Sequence, residues 1–365
     1  FWLQWYKKNC KSNRLIMTPS IKINKNIISK KSYPFIIAEM SGNHKKSLKR
    51  ALKIVDLAAD CGANAIKLQT FKPDKVTFNL NKKDFIINDK SSPWYKKKIF
   101  DLFEDAYTPW EWHKEIFQKA KSRGLEFLST PFHEEAVDFL EKLNVPCYKV
   151  ASFENNHLPL IKHISQTKKP LIISTGMASF KELQNIHNIL KKNKNEYVFL
   201  KCTSAYPASA KSFNLYTLKD IQKKFNCIVG LSDHSIGSAV ASSAVALGAR
   251  VIEKHLTISR IDNAIDSFFS SDKNSFKNYV QDIKLSFDAL GKNYYGSTKN
   301  EKSSLQERRS IYVKKNIKKG EIFNLDNIAV IRPSYGLDPV YFDKILGKKS
   351  KKNLQKGDRL TKKNF

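Results

Sequence analysis

The chain has 365 residues, of which 41% are hydrophobic and 12% aromatic; this composition excludes a disordered protein, and no apolar run of about 18 residues is present to form a transmembrane helix. Its formal net charge is +31 at pH 7, but the lysines are scattered among abundant Asn and Ile, as expected of an AT-rich genome. Because a nucleic-acid-binding protein would favour arginine, clustered charges and a recognisable motif, we predict no nucleic-acid partner, although a basic surface would attract anionic substrates.

The N-terminal segment precedes any regular pattern. Residues 1–16 begin without Met and are followed by Met17, so we interpret them as an upstream extension or the end of a fragment. Their apolar run is too short for a signal peptide, and no small-residue cleavage site follows it. Residues 1–32 are therefore predicted to be an N-terminal extension and lead-in.

Strands and helices alternate over residues 33–291. Eight apolar runs predict strands, at 34–40, 65–71, 125–132, 147–153, 170–177, 196–207, 227–235 and 251–257. Each run is followed by a stretch with apolar residues at helical spacing. A longer charged insertion, 72–108, separates the second strand from its helix, which is predicted to have a Thr108 cap and Pro109 at its start.

This alternation predicts an α/β fold. Continuous apolar strands that alternate with helices indicate a parallel sheet covered on both faces. Eight such units match a closed (β/α)8 TIM barrel in number and length. The alternative is a doubly wound open sheet, which is disfavoured because no Gly-rich dinucleotide-binding turn follows the first strand.

The pattern changes after Gly291. Residues 292–308 are polar and are predicted to be a linker. Residues 309–365 contain short β-rich segments and two N-x-x-K-G-[ED] turns, at 316–321 and 353–358. A module of this size has little stability alone, which favours docking against a larger domain.

Five cysteines are present, and their number and spacing do not indicate disulfides. They are Cys10, Cys61, Cys147, Cys202 and Cys227, and the last four lie within or beside apolar runs. We therefore predict reduced, buried thiols in a cytoplasmic protein.

Polar residues stand at the C-terminal end of every predicted barrel strand, where the chemistry of such barrels takes place. In chain order these residues are Glu39; Lys67 and Gln69; Ser129 and Thr130; Lys149 and Ser152; Ser174 and Thr175; Thr203 and Ser204; Ser232, Asp233 and His234; and Glu253 and His255.

Two of these strands carry a lysine in an otherwise apolar run. Because an isolated buried charge is costly, Lys67 and Lys149 indicate an anion between them, and we interpret it as a phosphate surrounded by hydroxyl groups. The candidate hydroxyl donors are Thr130, Ser152 and Ser232. The alternative is that both lysines form structural ion pairs with Glu39 and Glu253.

Two histidines suggest a metal site. His234 and His255 end the seventh and eighth strands, which are neighbours in an eight-stranded barrel, and Glu253 shares the inward face with His255. Two imidazoles with positions left open for water and substrate suit Mn²⁺, Co²⁺, Mg²⁺ or Zn²⁺. The alternative is a pair of hydrogen-bonded core histidines.

Eight motifs in a fixed order carry a resemblance to a known family. From about residue 33, the chain resembles the sialic acid (N-acetylneuraminate) synthase family in the strings IIAEMSGNH, GANAIKLQTF, FLSTPF, YKVASFE, IISTGM, KCTSAYP, GLSDHS and ALGARVIEKHLT. The tail RRSIYVKKNIKKGE…VIRPSYGL resembles that family's C-terminal antifreeze-like (SAF) domain. Within the family, LFEDAYTPWEWHKEIF, AEMSGNH and DSFFSSD are most similar to the pseudaminic acid synthases, as is Ser204, where neuraminate synthases tend to carry Asn.

The resemblance implies a set of site residues. Phosphoenolpyruvate would be bound by Lys67, Thr130, Lys149, Ser152, Ser174, Ser204 and Ser232. The sugar would be bound by Glu39, Gln69, Tyr206, Asp266 and Arg332, and the metal by His234 and His255. Catalytic roles would fall to Lys67, Glu39 and Glu253. The resemblance also implies a domain-swapped homodimer, in which Arg332 reaches the active site of the partner subunit.

The implied reaction is a carbon–carbon bond-forming transfer. Phosphoenolpyruvate would condense with 2,4-diacetamido-2,4,6-trideoxy-altrose and water, giving pseudaminic acid for cell-surface glycans and phosphate. A divalent metal (Mn²⁺, Co²⁺ or Mg²⁺) would polarise the aldehyde that C3 of phosphoenolpyruvate attacks, Glu253 or Glu39 would stabilise positive charge at C2, and phosphate would leave by C–O cleavage.

Three alternatives remain open. The same apparatus could make N-acetylneuraminic or legionaminic acid. A Schiff-base aldolase could use Lys149 or Lys201 as its nucleophile on the same barrel. The chain could also be a non-catalytic sugar-binding or nucleic-acid-binding protein with a basic surface.

Overall fold

The computed structural model describes residues 19–90 and 92–365. The extension assigned to residues 1–16, and Cys10 within it, lie outside the described residues. The chain divides into two compact units, of which the first ends at Gly291 and the second is Lys292–Phe365.

The first unit contains a closed barrel of eight parallel strands among the described residues. A hairpin precedes the barrel, with strands β1 (Ser20–Ile23) and β2 (Asn26–Ser29). The barrel strands are β3 (Phe35–Glu39), β4 (Ala65–Thr70), β5 (Glu126–Pro131), β6 (Tyr148–Val150), β7 (Leu171–Ser174), β8 (Tyr197–Cys202), β9 (Ile228–Asp233) and β10 (Val251–His255). Each strand pairs with the next along the chain, and β10 pairs with β3. The predicted (β/α)8 barrel is therefore confirmed, and the open sheet is excluded.

Helices follow the barrel strands along the chain. They are α1 (Leu48–Asp60), α2 (Pro73–Val76), α3 (Ile99–Ala106), α4 (His113–Ser122), α5 (Glu134–Lys142), α6 (Leu158–Gln166), α7 (Phe180–Asn193), α8 (Thr217–Phe225), α9 (Ala239–Ala246) and α10 (Lys273–Leu290). At least one helix follows every barrel strand. The insertion at 72–108 is partly helical, because it contains α2, α3 and a 3₁₀ turn at Lys83–Phe85.

The predicted cap of the helix after the insertion is wrong. This helix starts as a 3₁₀ turn at Trp110–Trp112 and continues as α4, and no side chain caps either start. Thr108 is buried, and its hydroxyl lies 2.9 Å from the Nε2 atom of His44. The hydroxyl is therefore already engaged by a neighbouring turn of the barrel.

The two faces of the barrel strands form two separate apolar layers. Side chains of one set, including Ile36, Ile66 and Val229, pack against the helices. Side chains of the other set, including Ile37 and Leu128, fill the barrel interior. Because successive side chains alternate across a strand, the side chain two positions after an inward-facing residue also points into the barrel interior.

The N-terminal hairpin contributes to the interior layer. Strands β1 and β2 pair in antiparallel register, and Ile21, Ile23 and Ile28 belong to the same buried cluster as the inner strand residues. The inner residues in this cluster come from the N-terminal parts of the strands. The hairpin therefore packs against the end of the barrel opposite to the C-terminal strand ends.

The second unit has its own small core. Strands β11 (Ser310–Val313) and β12 (Ile328–Ile331) pair antiparallel, and a short helix α11 spans Phe342–Ile345. The core includes Ile311, Phe323 and Leu354. Residues 292–308, predicted to be a linker, include 3₁₀ turns at Lys299–Glu301 and Ser303–Glu307.

The two repeated turns of the second unit cap one another. The Oδ1 atom of Asn316, in the first turn, accepts a 2.8 Å hydrogen bond from the backbone N–H of Lys356 in the second. Asn353 in the second turn accepts a 2.8 Å bond from the N–H of Lys319 in the first. The repeated Asn thus satisfies backbone donors that the turns would otherwise leave unpaired.

Within the described residues, no helix combines the length and the apolar character needed to cross a bilayer.

Candidate active site at the C-terminal strand ends

A cavity of about 220 Å³ lies at the C-terminal ends of the barrel strands. Most of the residues predicted for the site line it: Glu39, Lys67, Gln69, Lys149, Ser152, Ser174, Tyr206, Ser232, His234, Glu253, His255 and Asp266. Strand register explains how they meet, because His255 pairs with Glu39 and Glu39 pairs with Lys67 across neighbouring strands. The polar residues occupy the inner positions that follow Ile37, Ala65 and Val251 by two or four residues.

The two lysines lie in a buried cluster with two carboxylates. Lys67 Nζ is 2.5 Å from Glu39 Oε2 and 3.9 Å from Glu253 Oε2, while Lys149 Nζ is 3.8 Å from Glu253 Oε1. The ion pairs proposed as the structural alternative therefore exist. The ammonium groups also line the cavity, so they are placed to meet an anion that enters it.

The pKa values in this cluster reflect burial and charge together. Burial raises the pKa of Glu39. Burial would lower the pKa of Lys67, but the carboxylates of Glu253 and Glu39 outweigh it and raise that pKa. Burial lowers the pKa of Lys149, whose ammonium group is less fully compensated. An additional anion beside Lys149 would stabilise its charged form.

Hydroxyl groups surround the lysines. Lys67 donates to Thr130 Oγ1 at 3.1 Å, and Lys149 donates to Ser174 Oγ at 2.7 Å. Ser232 donates to Glu253 Oε1 at 3.1 Å. Thr130 is buried and is not among the residues lining the cavity, so it binds Lys67 without being exposed to the cavity itself.

Gly176 brings two further serines together. Its N–H donates to Ser152 Oγ at 3.2 Å, and a side chain at this position would overlap the hydroxyl groups of both Ser152 and Ser204. Ser152 lines the cavity, whereas Ser204 stands behind it without being among the lining residues. The absence of a side chain at residue 176 thus allows the two hydroxyls to lie next to one backbone N–H.

The two histidines lie side by side in the cavity. The centres of the His234 and His255 rings are 5.4 Å apart. His234 Nδ1 is 2.9 Å from the carbonyl oxygen of Thr203, and a carbonyl can only accept, so Nδ1 carries a proton; in the neutral ring Nε2 then has the lone pair that a metal would need. His255 Nδ1 is buried without a hydrogen-bond partner, which the core-histidine alternative leaves unexplained.

These two imidazoles fit a divalent metal that completes its coordination from water and substrate. No group of three or more His, Cys, Asp or Glu side chains suited to a metal occurs in the part of the chain that the structure describes. The donor set from the protein would therefore be the two rings.

A second polar network lies beside Glu39. Gln69 donates to Glu39 Oε1 at 3.2 Å and to Ser41 Oγ at 3.0 Å, and Ser41 donates to Asp266 Oδ2 at 2.5 Å. Burial raises the pKa of Asp266. Tyr206 closes this region with its ring centre 4.4 Å from that of His234.

Glu154 is a cavity residue that the sequence did not single out. It ends the 3₁₀ turn Ser152–Glu154 after β6, and its Oε2 atom is buried without a partner. Burial raises the pKa of Glu154 to about 7. Because it lies beyond the strand, alternation could not assign it a face, although the carboxylate in YKVASFE was a visible signal.

Apolar residues that the sequence also did not predict form another side of the cavity. Trp94, Leu102, Phe103 and Ala106 come from the insertion, and Phe132 and Ile265 adjoin them. Because the insertion is charged overall, its composition did not indicate which of its few apolar side chains line the cavity.

Two other predicted residues lie elsewhere. Arg332 follows β12 in the second unit and is exposed. Lys201, the second candidate for a Schiff base, donates to the backbone of Cys202 and is not among the residues lining the cavity. The role predicted for Arg332 stays a prediction.

Comparison with known proteins identifies the family. Residues 54–295 match the model of the NeuB family, and residues 308–365 match that of the SAF domain. A protein of Campylobacter jejuni named pseudaminic acid synthase is 45% identical over 91% of this chain and 96% of its own length. One of the same name from Helicobacter pylori is 39% identical over 88% and 95%.

A solved structure agrees in fold. The N-acetylneuraminic acid (sialic acid) synthetase of Leptospira borgpetersenii, crystallised in complex with citrate, superposes with a TM-score of 0.70 at 27% identity, covering 79% of this chain and 95% of that one. With its closed barrel, its strand-end cavity and these similarities, the chain belongs to the NeuB family and carries a C-terminal SAF domain.

Proposed function

We propose that the chain catalyses the metal-dependent condensation of phosphoenolpyruvate with 2,4-diacetamido-2,4,6-trideoxy-altrose and water, giving pseudaminic acid and phosphate. The observation that carries the proposal is one cavity in which two buried ammonium groups, Lys67 and Lys149, lie beside two adjacent imidazoles, His234 and His255. The similarity to proteins named pseudaminic acid synthase supports the choice of reaction.

Phosphoenolpyruvate would occupy the lysine end of the cavity. Lys67 and Lys149 would bind its negative charges, with the hydroxyls of Ser152, Ser174 and Ser232 as hydrogen-bond donors. Thr130 and Ser204, which stand directly behind these groups, would orient them. Exchange of the internal carboxylate partners for the substrate's anionic groups would keep the buried ammonium groups compensated.

The metal would be held by His234 and His255. When bound, Mn²⁺, Co²⁺ or Mg²⁺ would supply Lewis-acid polarisation of the sugar aldehyde. Gln69, Tyr206 and Asp266 would orient the sugar so that its aldehyde carbon faces C3 of phosphoenolpyruvate. Fixing two reactants in this way is worth up to roughly 7–11 kcal/mol of the barrier.

The carboxylates would stabilise the positive charge that develops on the substrate and would exchange a proton with water. Glu39 and Glu253 are fixed beside the lysines, where they can stabilise positive charge that develops at C2 as the new carbon–carbon bond forms. Glu154, with a pKa near neutrality, can exchange a proton with the water that adds at C2. Phosphate then departs with cleavage of its C–O bond.

The proposal includes a cytoplasmic homodimer. Four cysteines of the described residues are free and buried, as expected in a reducing compartment. Phe153, Met177, Ile236 and Ile261 are exposed in segments that follow four barrel strands, and a partner subunit that packs on this end of the barrel would cover them. We expect Arg332 to enter the partner's site there.

The direct test is phosphate release by the purified chain from phosphoenolpyruvate and a panel of 2-acetamido and 2,4-diacetamido aldoses. We expect release that EDTA abolishes and Mn²⁺ restores, and a loss of at least about 100-fold in His255→Asn. A Schiff-base aldolase would survive EDTA and be inactivated by borohydride. Absence of phosphate release with every sugar would defeat the proposal.

The panel also separates the other candidates. Preference for an N-acetylmannosamine-type or a manno-configured diacetamido sugar would indicate neuraminate or legionaminate synthesis. Salt-sensitive retention on nucleic acid without turnover would indicate a binding protein.

The dimer can be tested by mixing two inactive variants. If Arg332 acts across the interface, Arg332→Ala and His255→Asn protomers will form mixed dimers with one intact site, restoring about a quarter of the wild-type activity at equal mixing. Light scattering checks that both variants are dimeric. Failure to restore activity after subunit exchange would contradict the trans arrangement.

A further inference from the structure

The insertion contributes four side chains to the lining of the cavity, and they are almost entirely hydrocarbon. We call Trp94, Leu102, Phe103 and Ala106 the apolar wall; all four come from the insertion between β4 and α4 and line the cavity. Apart from the indole N–H of Trp94, these side chains have no hydrogen-bonding group. Of the lysines and arginines in the described residues, only Lys67 and Lys149 line the cavity, and both belong to barrel strands.

Packing holds the apolar wall in place. The Phe103 ring meets Phe71 edge-on at 5.3 Å and Phe132 at 6.1 Å between ring centres. Trp94 lies 6.0 Å from Tyr206 and 6.2 Å from Phe268. Both aromatic rings of the wall are therefore packed against other aromatic side chains, which restricts their movement.

The turn after β3 lies close to the wall at Ala106. A side chain at Gly42 would overlap Ile265 and would lie 3.2 Å from Ala106. Glycine at this position lets the backbone pass close to the wall.

The position of the wall relates it to one end of the sugar. The lysines and His255 belong to strands, whereas the wall residues follow β4 by more than 20 positions and stand beyond the strand ends. If the proposed reaction is correct, the aldehyde carbon must lie near the histidines and phosphoenolpyruvate. C6, the carbon farthest from the aldehyde in a six-carbon sugar, then points away from the charged base of the cavity.

We propose that the apolar wall determines specificity at this far end, and that Leu102 and Phe103 accept the methyl group of a 6-deoxy amino sugar and disfavour a C6 hydroxyl or phosphate. A methyl group gains from leaving water, whereas a hydroxyl on this surface loses its hydrogen bonds without replacement. A phosphate at the wall would meet no lysine or arginine of the same chain among the described residues that line the cavity, except Lys67 and Lys149 on the barrel strands. This inference rests on the proposed function.

A matched pair of sugars isolates the effect. We would compare 2-acetamido-2-deoxymannose with its 6-deoxy analogue, which differ in one hydroxyl, and measure kcat/KM for phosphate release with the full chain and Mn²⁺. We expect the 6-deoxy sugar to be favoured by about 10- to 100-fold, the range for one group in an apolar pocket. Equal values, or a preference for the hydroxyl, would overturn the inference.

Two variants test whether Leu102 and Phe103 cause the preference for the 6-deoxy sugar. Phe103→Asn and Leu102→Asn place an amide on the wall and should each reduce the ratio by about 10-fold or more. Phe78→Asn is the matched control, because Phe78 lies in the same insertion, is 67% exposed and is not among the residues lining the cavity. Since each ratio is taken within one variant, partial unfolding cancels. An unchanged ratio in both wall variants would overturn the assignment.

Binding separates this inference from the proposed reaction. Calorimetry with the two corresponding alditols, which lack the aldehyde, reports the preference without turnover. Tighter binding of the 6-deoxy alditol with no phosphate release from either sugar would support the wall and refute the reaction. Equal binding of the alditols would refute the wall, whatever the turnover.

Discussion

Single residues in the site matter chiefly through charge compensation. Glu39, Glu253, Lys67 and Lys149 form one buried cluster in which each lysine lies within 4 Å of a carboxylate. Removing one member would leave its partner buried and unpaired, which costs roughly 3–5 kcal/mol. Loss of activity in such a variant therefore includes a structural contribution, and the sharper residue tests lie just outside the cluster.

Glu154 allows one such test. Its folded pKa of about 7 lies above the ordinary value of 4.5, so the folded state binds more protons between these two values. Stability contributed by the neutral carboxyl is therefore fully present below pH 4.5 and is lost as pH rises to 7. Glu154→Gln mimics the neutral form, and we expect its thermal stability relative to wild type to rise from pH 5 to pH 8, by no more than about 3 kcal/mol.

Thermal unfolding without substrates measures this difference. Glu135→Gln is the control, because hydrogen bonds from Lys75 and Lys72 lower the pKa of Glu135 to about 2 and its carboxylate stays ionised throughout this pH range. Its difference from wild type should be constant between pH 5 and pH 8. A pH-independent difference for Glu154→Gln would show that Glu154 is ionised in the folded protein.

Gly176 provides a test of the serine hydroxyls. In Gly176→Ala the new methyl group would displace the hydroxyls of Ser152 and Ser204, and we expect KM for phosphoenolpyruvate to rise by about 10-fold or more, the cost of losing roughly one charge-assisted hydrogen bond. KM for the sugar should change little. Steady-state kinetics with each substrate varied in turn makes this comparison, and an equal rise in both constants would contradict the assignment of these serines to phosphoenolpyruvate.

At the scale of elements, one buried hydrogen-bond network joins the neighbouring strands β9 and β10 to helix α10. Lys254 on β10 donates to Asp233 Oδ2 on β9 at 3.1 Å, and Tyr279 on α10 donates to the same atom at 2.8 Å. These side chains are buried and face the helices. Asp233 and Lys254 alternate with the inward residues and directly precede His234 and His255 in sequence. The network holds in place the two strands that carry the histidines.

Disrupting this network should destabilise the barrel. We expect Tyr279→Phe to lose about 1.5–3 kcal/mol, since it removes a hydrogen bond to a buried carboxylate, and Lys254→Met to lose about 3–5 kcal/mol. Tyr294→Phe, at a tyrosine that is 56% exposed, should stay within about 0.5 kcal/mol of wild type. Urea unfolding compares the three. Wild-type stability of Tyr279→Phe would mean that the network contributes little.

Prediction from the sequence succeeded where local periodicity carries the information. Alternation and helical spacing define the strands, the helices and the inner polar residues at the strand ends. Thr108 was misassigned as a cap because its hydroxyl contacts His44, which is distant in sequence. The apolar wall and Glu154 lie in irregular segments, where spacing says nothing about direction. The reciprocal capping of Asn316 and Asn353 required the fold of the second unit.

For the whole molecule, the net charge of +31 is the dominant electrostatic feature. If it attracts the anionic substrate, kcat/KM for phosphoenolpyruvate should fall severalfold between 0.1 M and 1 M salt, as the Debye length shortens from about 10 Å to about 3 Å. KM for the uncharged sugar is the internal control and should change little. Equal salt dependence for both substrates would indicate a general effect on the protein.

Apolar side chains of the strands and of the isoleucine-rich hairpin fill the barrel interior, so within the described residues no passage runs through the barrel to the cavity from its N-terminal end. If phosphoenolpyruvate binds at the lysine end, as proposed, we expect it to bind before the sugar, and we expect phosphate to be released after the sugar acid. Product-inhibition patterns would then show a compulsory order of substrate binding and product release.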